Sequence, residues 1–292
     1  MKTRTIVVAT DGTEHGRAAL DWAAREARHR RAQLRIVHAY EWDWHETRYD
    51  VGNEYIDVAR SLAEAVVADA YHHAQKITPD VPVTTEILIG RPAPRLLEVS
   101  RDADVLVVGH RGRGGFAGLL LGSVSESVAA HAPCPVVVVR GHSAEGDGPV
   151  VVGIDDSPAS EAVLARAFAE ADEREAAVVV VHSYLPVIPL WVADLRPESV
   201  DTPEQDAAEG TGLDERLAPW REKYPVVPVE TVLTHRSAAA TLVERSHGAQ
   251  LVVVGTRRHG RAGAVLAGSA GLQLLHHADC PVLIVRHEEA LP

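Results

Sequence analysis

The sequence predicts an α/β fold of two tandem doubly wound domains, each with a five-stranded parallel sheet and helices on both faces. Three observations support this prediction. Short apolar runs alternate with segments whose apolar residues recur at helical spacing, as in strands joined by crossover helices. The pattern starts a second time near the middle of the 292 residues, a length that suits two domains of ~150 residues each. Residues of the two halves also match at a nearly constant offset.

This constant offset indicates a tandem duplication. The matching pairs are Asp11 and Asp155, Gly109 and Gly255, Gly122-Ser123 and Gly268-Ser269, and Cys134-Pro135 and Cys280-Pro281. The aspartates are 144 residues apart, and the other pairs are 146 apart. A polar, glycine-containing stretch separates the halves, so we predict a first domain at 1–140, a linker at 141–148 and a second domain at 149–292.

Five apolar runs of the first half predict its strands, at 5–9, 34–39, 83–89, 105–108 and 136–139. Continuous apolar runs of this kind are typical of parallel strands that are covered on both faces. Helices are predicted between them, the last two at 93–100 and 124–131. In the second half, the runs 150–154 and 282–285 repeat the first and fifth strands.

Composition limits the classes of function. The net charge is −12, which argues against a general nucleic-acid binder or a protein of anionic membrane surfaces. No apolar run approaches the ~20 residues that a membrane helix needs. Two cysteines do not form a disulfide framework, and the first residues lack the pattern of a signal peptide. We therefore expect a cytoplasmic protein without a membrane or nucleic-acid partner.

A glycine-rich loop at 109–123 indicates a phosphate site. It follows the predicted fourth strand and precedes a predicted helix, and its glycines are spaced Gly109-x2-Gly112-x9-Gly122 before Ser123. Glycines let the main chain approach an anion, and a helix N-terminus carries partial positive charge. The spacing matches neither the P-loop nor the dinucleotide pattern. A surface loop without a ligand is the alternative interpretation.

Asp11 follows the first strand and belongs to the same predicted site. In a doubly wound sheet, the ligand lies beyond the carboxyl ends of the strands where the winding direction reverses, here strands 1 and 4. A carboxylate suits ribose hydroxyls or a metal rather than a phosphate. The combination predicts a nucleotide site, with Asp11 at the sugar, the glycine main chain at the phosphates and Ser123 as a hydroxyl donor that caps the helix.

These residues resemble the universal stress protein family, and the resemblance covers nearly the whole chain. It rests on the glycine motif, on Asp11 at the end of Val7-Val8-Ala9-Thr10-Asp11-Gly12, and on Cys134-Pro135 before the last strand. The resemblance implies sheet order 3-2-1-4-5 and an ATP-binding, mostly non-enzymatic regulator of stress or dormancy responses, often with Mg²⁺. It places adenine and ribose near Ala9, Asp11 and the main chain of Ala39. The full set of expected ATP-binding residues is Ala9, Asp11, Gly12, Ala39, Val108, Gly109, Arg111, Gly112, Gly122, Ser123, Val124 and Ser125.

The second copy departs from the motif. Arg258 replaces Gly112 and Asp156 replaces Gly12. A Cβ in place of a glycine obstructs close approach, whereas an arginine is able to hold phosphate oxygens, so binding there stays open. If this copy binds ATP, we expect weaker binding by Gly153, Asp155, Ser183, Gly255, Arg258, Gly268 and Ser269.

Other chemistry is not favoured by the sequence. Cys134 and Cys280 are expected to be buried, and His38 and His182 to be hydrogen-bonded core histidines. No His/Cys cluster has zinc spacing, so no metal site and no catalytic residue are predicted. The fifth strands are expected at sheet edges, where we expect the two domains to pair within one chain and the chain to form a homodimer.

Three functions remain as hypotheses from the sequence. The leading one is an ATP-binding regulatory protein that acts through nucleotide-dependent conformation or partner choice. The second is slow ATP hydrolysis or phosphotransfer in the same pocket, for which no base other than Asp11 is available. The third is an interaction scaffold without nucleotide, in which the glycines only shape loops.

Overall fold

The chain folds into two compact units, Met1–Ser143 and Ala144–Pro292, and each is considered by itself. The computed structural model describes residues 4–41, 54–113, 120–141, 148–187, 200–256 and 269–286.

The first unit is a five-stranded parallel sheet in the order β3-β2-β1-β4-β5. Helix α1 packs against α2, and α3 packs against α4. Its elements are β1 (Thr5–Ala9), α1 (Glu14–His29), β2 (Gln33–Tyr40), α2 (Glu54–Ile77), β3 (Val83–Ile89), α3 (Pro92–Val99), β4 (Val105–Gly109), α4 (Ser123–His131) and β5 (Val136–Val139).

The second unit repeats this order as β8-β7-β6-β9-β10, again with parallel neighbours. Its elements are β6 (Val150–Ile154), α5 (Ala159–Glu173), β7 (Val178–Ser183), α6 (Pro203–Lys223), β8 (Val229–Thr234), α7 (Ala238–Arg245), β9 (Leu251–Gly255), α8 (Ser269–His277) and β10 (Val282–Val285).

The predicted fold class and sheet order are confirmed, and three helix ends differ by one residue from the predicted ones. Helix α4 begins at Ser123, one residue earlier than predicted, and Gly122 is its N-cap. Helix α3 begins at Pro92, also one residue earlier than predicted. It ends at Val99, and the predicted last residue, Ser100, instead begins a 3-10 turn that extends to Asp102. All three differences lie at helix termini, where single residues shift readily between turn and helix.

Buried aliphatic residues explain why the strands form the centre of each unit. Every residue of β4 and β5 is buried, as predicted for strands covered on both faces. Cys134 and Cys280 are buried too, 7% and 1% exposed, which confirms their prediction as core residues. Within the described residues, no helix has an apolar stretch long enough to cross a membrane.

Gly109, the last residue of β4, lies against the first turn of α1. A Cβ atom on Gly109 would stand 2.6 Å from the main-chain oxygen of His15. Real Cβ atoms do not approach a main-chain oxygen so closely, so the absence of a side chain is what allows α1 to cross the end of β4. This glycine therefore serves the packing of the strand and the helix.

We predict that Gly109→Ala lowers the free energy of unfolding of the first unit by about 1–3 kcal/mol, because α1 or β4 must shift to admit the methyl group. Chemical denaturation of the full chain measures the change. Gly212→Ala is the matched control, because Gly212 lies in α6 with nothing within 4 Å of its added Cβ. There, alanine should stabilise the helix by up to about 1 kcal/mol. Equal effects at both positions would contradict the packing role of Gly109.

Candidate functional site

The candidate site lies at the carboxyl ends of β1 and β4. These strands are parallel neighbours, with Ile6 opposite Val105 and Val8 opposite Val107. Because neighbouring parallel strands end at the same edge of a sheet, the segments after Ala9 and after Gly109 emerge side by side. The winding direction of the sheet reverses between β1 and β4, and ligands of doubly wound sheets bind at such a position.

Asp11 joins the start of α1 to the glycine-rich loop. Its Oδ1 accepts hydrogen bonds from the main-chain N–H of Thr13 at 3.0 Å and from the Thr13 hydroxyl at 2.6 Å. Its Oδ2 accepts a hydrogen bond from the main-chain N–H of Arg113 at 2.8 Å, across 102 residues of sequence. The predicted proximity of Asp11 to the glycine-rich loop is therefore confirmed. Its carboxylate also has a structural role that the sequence did not show.

The two ends of the glycine-rich loop are held together by a main-chain hydrogen bond. The N–H of Gly122 donates to the carbonyl of His110 at 2.8 Å. Gly112 lies between these ends and Asp11, since a Cβ on Gly112 would stand 2.6 Å from Oδ2 of Asp11. A side chain at 112 would therefore displace either the carboxylate or the loop. The residues 114–119 of this loop lie outside the described ranges.

Helix α4 begins in this loop without a side-chain cap. Its N-cap is Gly122, and no side chain of the described residues caps it. The expectation that Ser123 caps the helix was therefore wrong, because Ser123 is already the first helical residue and its exposed side chain lies beyond the cap position. The first N–H groups of a helix lack intrahelical partners. An uncapped N-terminus is consequently well suited to an anion.

The remaining expected residues of the first domain line the same edge or support it. Ala9, Ala39 and Val108 lie at or near the ends of β1, β2 and β4. Ser125 is buried, and its hydroxyl donates to the carbonyl of Gly109 at 2.6 Å. This bond ties α4 to the end of β4, so the hydroxyl of Ser125 is already used within the protein. Val124 is half-buried beside it.

Gly12 has the backbone conformation that only glycine adopts without strain. Its φ is +79°, in the left-handed region. A Cβ at this position would stand 3.2 Å from the guanidinium of Arg113 and 3.3 Å from Val66 of α2. Gly12 thus allows the loop and α2 to close over the turn that follows β1.

The two core histidines differ between the units. Nδ1 of His38 lies 2.7 Å from the carbonyl of Thr10, which confirms the expected buried, hydrogen-bonded histidine. The same expectation was wrong for His182, whose buried Nδ1 has no hydrogen-bond partner in the described ranges. Its Nε2 instead lies 3.7 Å from a carboxylate oxygen of Asp156 and 3.8 Å from one of Glu209. Asp156 stands where the first domain has Gly12, so the first domain has no carboxylate at this position.

In the second domain, the Asp155 carboxylate accepts hydrogen bonds from residues just after β6 and in the first turn of α5. Its Oδ1 accepts hydrogen bonds from the N–H of Ser157 at 3.0 Å and from the hydroxyl of Ser160 at 2.9 Å. Ser160 replaces Gly16, where a Cβ would stand 2.8 Å from Asp11. Arg216 of α6 also donates to the main-chain carbonyl of Asp155 at 2.7 Å.

A cleft of about 250 Å³ lies at the carboxyl ends of β6 and β9. Its lining includes four of the residues expected for the second site, namely Gly153, Asp155, Ser183 and Gly255. The volume is slightly below the ~300–1,000 Å³ of typical small-molecule pockets. Arg258 and Gly268 lie outside the described residues, as does the side chain of Ser269 at the start of α8.

A polar cluster of Tyr184, Asp206 and His235 holds the start of α6 beside this cleft. Asp206 accepts hydrogen bonds from the Tyr184 hydroxyl and from Nε2 of His235, the latter at 2.8 Å. The hydrogen bond from Tyr184 is the main cause that lowers the pKa of Asp206. Burial, followed by the bond to Asp206, raises the pKa of Tyr184. Tyr184 follows Ser183 directly, so the cluster holds the end of β7 against the start of α6.

Sequence reasoning missed several residues of the first site. Thr13 is the N-cap of α1, and its place directly after Asp11-Gly12 is a recognisable cap pattern. His15 and His110 pack ring against ring, with centroids 4.3 Å apart. Nothing in the spacing of these histidines links them, because they meet only where α1 crosses the end of β4. Arg113 contributes through its main chain, which no sequence pattern identifies.

Comparison with protein families identifies both halves of the chain. The model described as the universal stress protein family matches residues 2–140 and 148–286. A universal stress protein of Mycobacterium tuberculosis is 37% identical over 304 residues, covering 98% of both chains. One from Mycolicibacterium smegmatis is 36% identical over 294 residues, covering 96% of both chains.

A solved structure shares the fold over nearly the full length. The crystal structure of a universal stress protein from Archaeoglobus fulgidus has a TM-score of 0.73 and covers 98% of this chain and 99% of its own. Its sequence identity of 16% supports the fold alone.

We predict that Asp11→Ala releases the glycine-rich loop from the start of α1. Loss of the carboxylate removes the acceptor of the Arg113 N–H, and a hydrogen bond of this kind is worth about 1–2 kcal/mol. Hydrogen exchange at the Arg113 amide should therefore become about tenfold faster, as measured by mass spectrometry of peptides that cover 110–113.

The control is Asp155→Ala, which removes the matching carboxylate of the second domain and should leave exchange at Arg113 unchanged. Unchanged exchange in Asp11→Ala itself would show that the loop is held by other contacts.

Proposed function

Because this chain belongs to the universal stress protein family, we propose that its first domain binds ATP beyond β1 and β4 and acts as a stress or dormancy regulator. Nucleotide-dependent conformation or partner choice is the proposed mode of action. The main support is the 2.8 Å hydrogen bond from the Arg113 N–H to Asp11. It holds a carboxylate and a glycine-rich loop together, close to a helix start without a side-chain cap.

The proposal assigns the phosphates to the start of α4. The main-chain N–H groups of Gly112 and of 123–125 are the donors that this geometry offers, together with the positive end of the helix dipole. The hydroxyl of Ser125 is used by Gly109, so Ser125 contributes through its main chain. Ser123 is exposed at the first helical position, where its hydroxyl is accessible to a phosphate oxygen. Arg111 supplies positive charge next to Gly112.

The nucleoside is assigned to the strand ends. Asp11 retains acceptor capacity beyond its internal hydrogen bonds, since an ionised carboxylate has about four lone-pair positions, and ribose hydroxyls are suitable donors. The edge formed by Ala9, Ala39 and Val108 is small and apolar, which suits the face of a base.

Mg²⁺ is part of the proposal only as the companion of the triphosphate. Asp11 is the carboxylate among the proposed residues of the first site, and hard oxygen donors are what Mg²⁺ prefers. Phosphate oxygens and water would supply most of its ligands, as is usual when this ion accompanies a nucleotide.

We assign weaker nucleotide binding to the second domain. The cleft beside Asp155 offers space and hydroxyl groups, and Gly153, Ser183 and Gly255 line it. Ser160 stands in place of Gly16, and its hydroxyl donates to the Asp155 carboxylate at 2.9 Å, which uses part of the acceptor capacity that a ribose hydroxyl needs. Arg258, Gly268 and Ser269 stay predictions for the phosphate end of this second site.

The remaining elements of the proposal concern the whole chain. No residue is assigned a catalytic role, and slow ATP hydrolysis in the first site stays the enzymatic alternative. Domain limits of 1–140 and 149–292 around a linker, a homodimer and a cytoplasmic location are predictions of the same proposal.

We predict that Ser123→Asp weakens ATP binding at least tenfold without destabilising the fold. An aspartate in the first turn interacts favourably with the helix dipole, by about 0.3–1 kcal/mol. The same negative charge repels phosphates bound at this helix start. Isothermal titration with Mg-ATP measures the affinity, and thermal unfolding without nucleotide measures the stability.

Ser123→Asn is the matched control, because it adds bulk without charge and should retain affinity within about threefold. Ser269→Asp makes the equivalent change at α8 and reports on the second domain. If Ser123→Asp binds Mg-ATP with wild-type affinity, the phosphates do not lie at this helix start, and the proposal is contradicted.

A further inference from the structure

Two histidines meet beneath the start of the glycine-rich loop. His15 lies in the first turn of α1, and His110 follows β4 directly, with ring centroids 4.3 Å apart. The main chain of His110 belongs to the framework of the proposed site. Its N–H donates to the carbonyl of Val139 at 3.0 Å, and its carbonyl accepts from the N-cap of α4, Gly122, at 2.8 Å. A single hydrogen bond therefore connects His110 to Gly122, the residue before the helix start at which we place the phosphates.

The hydrogen bonds of the His110 ring define its neutral form. Nε2 lies 3.3 Å from Nε of Arg111, and an arginine is only able to donate, so Nε2 is the acceptor. The proton of the neutral ring is then on Nδ1, which lies 3.3 Å from the carbonyl of Val139. A second proton on Nε2 would remove the acceptor that Arg111 uses.

Burial and positive neighbours keep His110 neutral at physiological pH. Burial lowers its pKa most, the adjacent His15 lowers it next, and Arg140 and Arg111 add smaller effects in the same direction. The carbonyl of Val139 acts in the opposite direction, and the resulting pKa is about 4. The groups that face this ring thus come from α1, from the glycine-rich loop and from the segment after β5. All of these charged or titratable groups are cationic or become cationic on protonation.

The second domain keeps the main-chain hydrogen bond from this position to the fifth strand of its sheet without the histidine pair. Thr256 takes the place of His110, and its N–H donates to the carbonyl of Val285 at 3.1 Å. Ala159 takes the place of His15. The histidine pair is therefore not needed to build this strand-to-loop junction, and it is a special feature of the first domain.

We propose that His110, with His15 beside it, takes up a proton when phosphates bind at the start of α4, so that nucleotide binding in the first domain is coupled to pH. This inference rests on the proposed function, because it concerns the regulation of the same site. It extends that function by making acidification a condition that favours the nucleotide-bound form.

The direction follows from the sign of the charges. A bound polyphosphate brings negative charge close to a ring that is otherwise surrounded by positive groups, and a nearby negative charge raises a histidine pKa. The histidine pKa is then higher in the bound form than in the free form. Protons are taken up on binding between these two values, and the affinity rises as the pH falls through that interval. Once protonated, Nε2 of His110 is a donor and no longer accepts the hydrogen bond from Arg111. The Arg111 guanidinium then donates to a phosphate oxygen instead.

The test compares the wild-type chain with the double variant His15→Ala/His110→Thr, which carries the residues of the second domain. Mg-ATP is titrated calorimetrically at pH 8 and pH 5, in buffers of different ionisation enthalpy. A rise of about one to two units in the pKa of His110 predicts uptake of about 0.4–0.8 proton at pH 5. It also predicts an affinity gain of about two- to tenfold between pH 8 and pH 5, relative to the variant. The ionisation of ATP itself is common to both proteins and cancels in this comparison.

A second measurement does not depend on the variant. Nuclear magnetic resonance of the wild-type chain labelled with ¹⁵N-histidine follows the His110 ring with and without Mg-ATP. Its pKa should rise by about one to two units in the presence of the nucleotide. ATP binding with equal proton uptake in both proteins and an unshifted His110 pKa would overturn this inference and leave the proposed function intact. Absence of ATP binding at every pH would overturn both.

Discussion

The hydrogen bond between the Asp11 carboxylate and the Arg113 main chain is the constraint on which the first site depends. It joins segments 102 residues apart at a distance of 2.8 Å. A carboxylate that holds a main-chain N–H is a strong, charge-assisted bond. Because the same carboxylate also binds Thr13, the start of α1 and the glycine-rich loop are fixed relative to each other. The proposed nucleotide site is the space that this connection defines.

The glycines around Asp11 are required by contacts within the protein as well as by the proposed ligand. Gly109 admits α1, Gly112 makes room for the carboxylate, and Gly12 has a positive φ. The contacts that a Cβ would make at these three positions are with protein atoms. A glycine motif of this kind therefore specifies a close junction of strand, helix and loop, and the junction then leaves main-chain N–H groups for an anion.

The fold could be predicted from the sequence because its determinants are local and repeated. Apolar runs located the strands, and the duplication gave two independent copies of the same pattern. The pairing of Asp11 with the glycine-rich loop was also predictable, since parallel strands end at one edge. The role of Gly122 as the N-cap of α4 was not predictable, because glycine and serine are both acceptable caps and only the backbone angles decide between them. The His15–His110 contact was hidden for a different reason, namely that it depends on how α1 crosses β4.

The second domain shows how the same framework diverges. Ser160 stands in place of Gly16 and donates a hydrogen bond to Asp155, and His182 lies near two carboxylates instead of bonding a main-chain oxygen. Both changes lie around Asp155 and leave the sheet order unchanged. Substitutions at strand ends are tolerated because the cores of the strands, which stabilise the fold, are not involved.

The most direct measurement is a crystal structure of the full chain grown with Mg-ATP. We expect the triphosphate at the first N–H groups of α4, with a ribose hydroxyl at hydrogen-bonding distance from Asp11. A first domain without nucleotide at saturating ATP, or phosphates remote from α4, would contradict it.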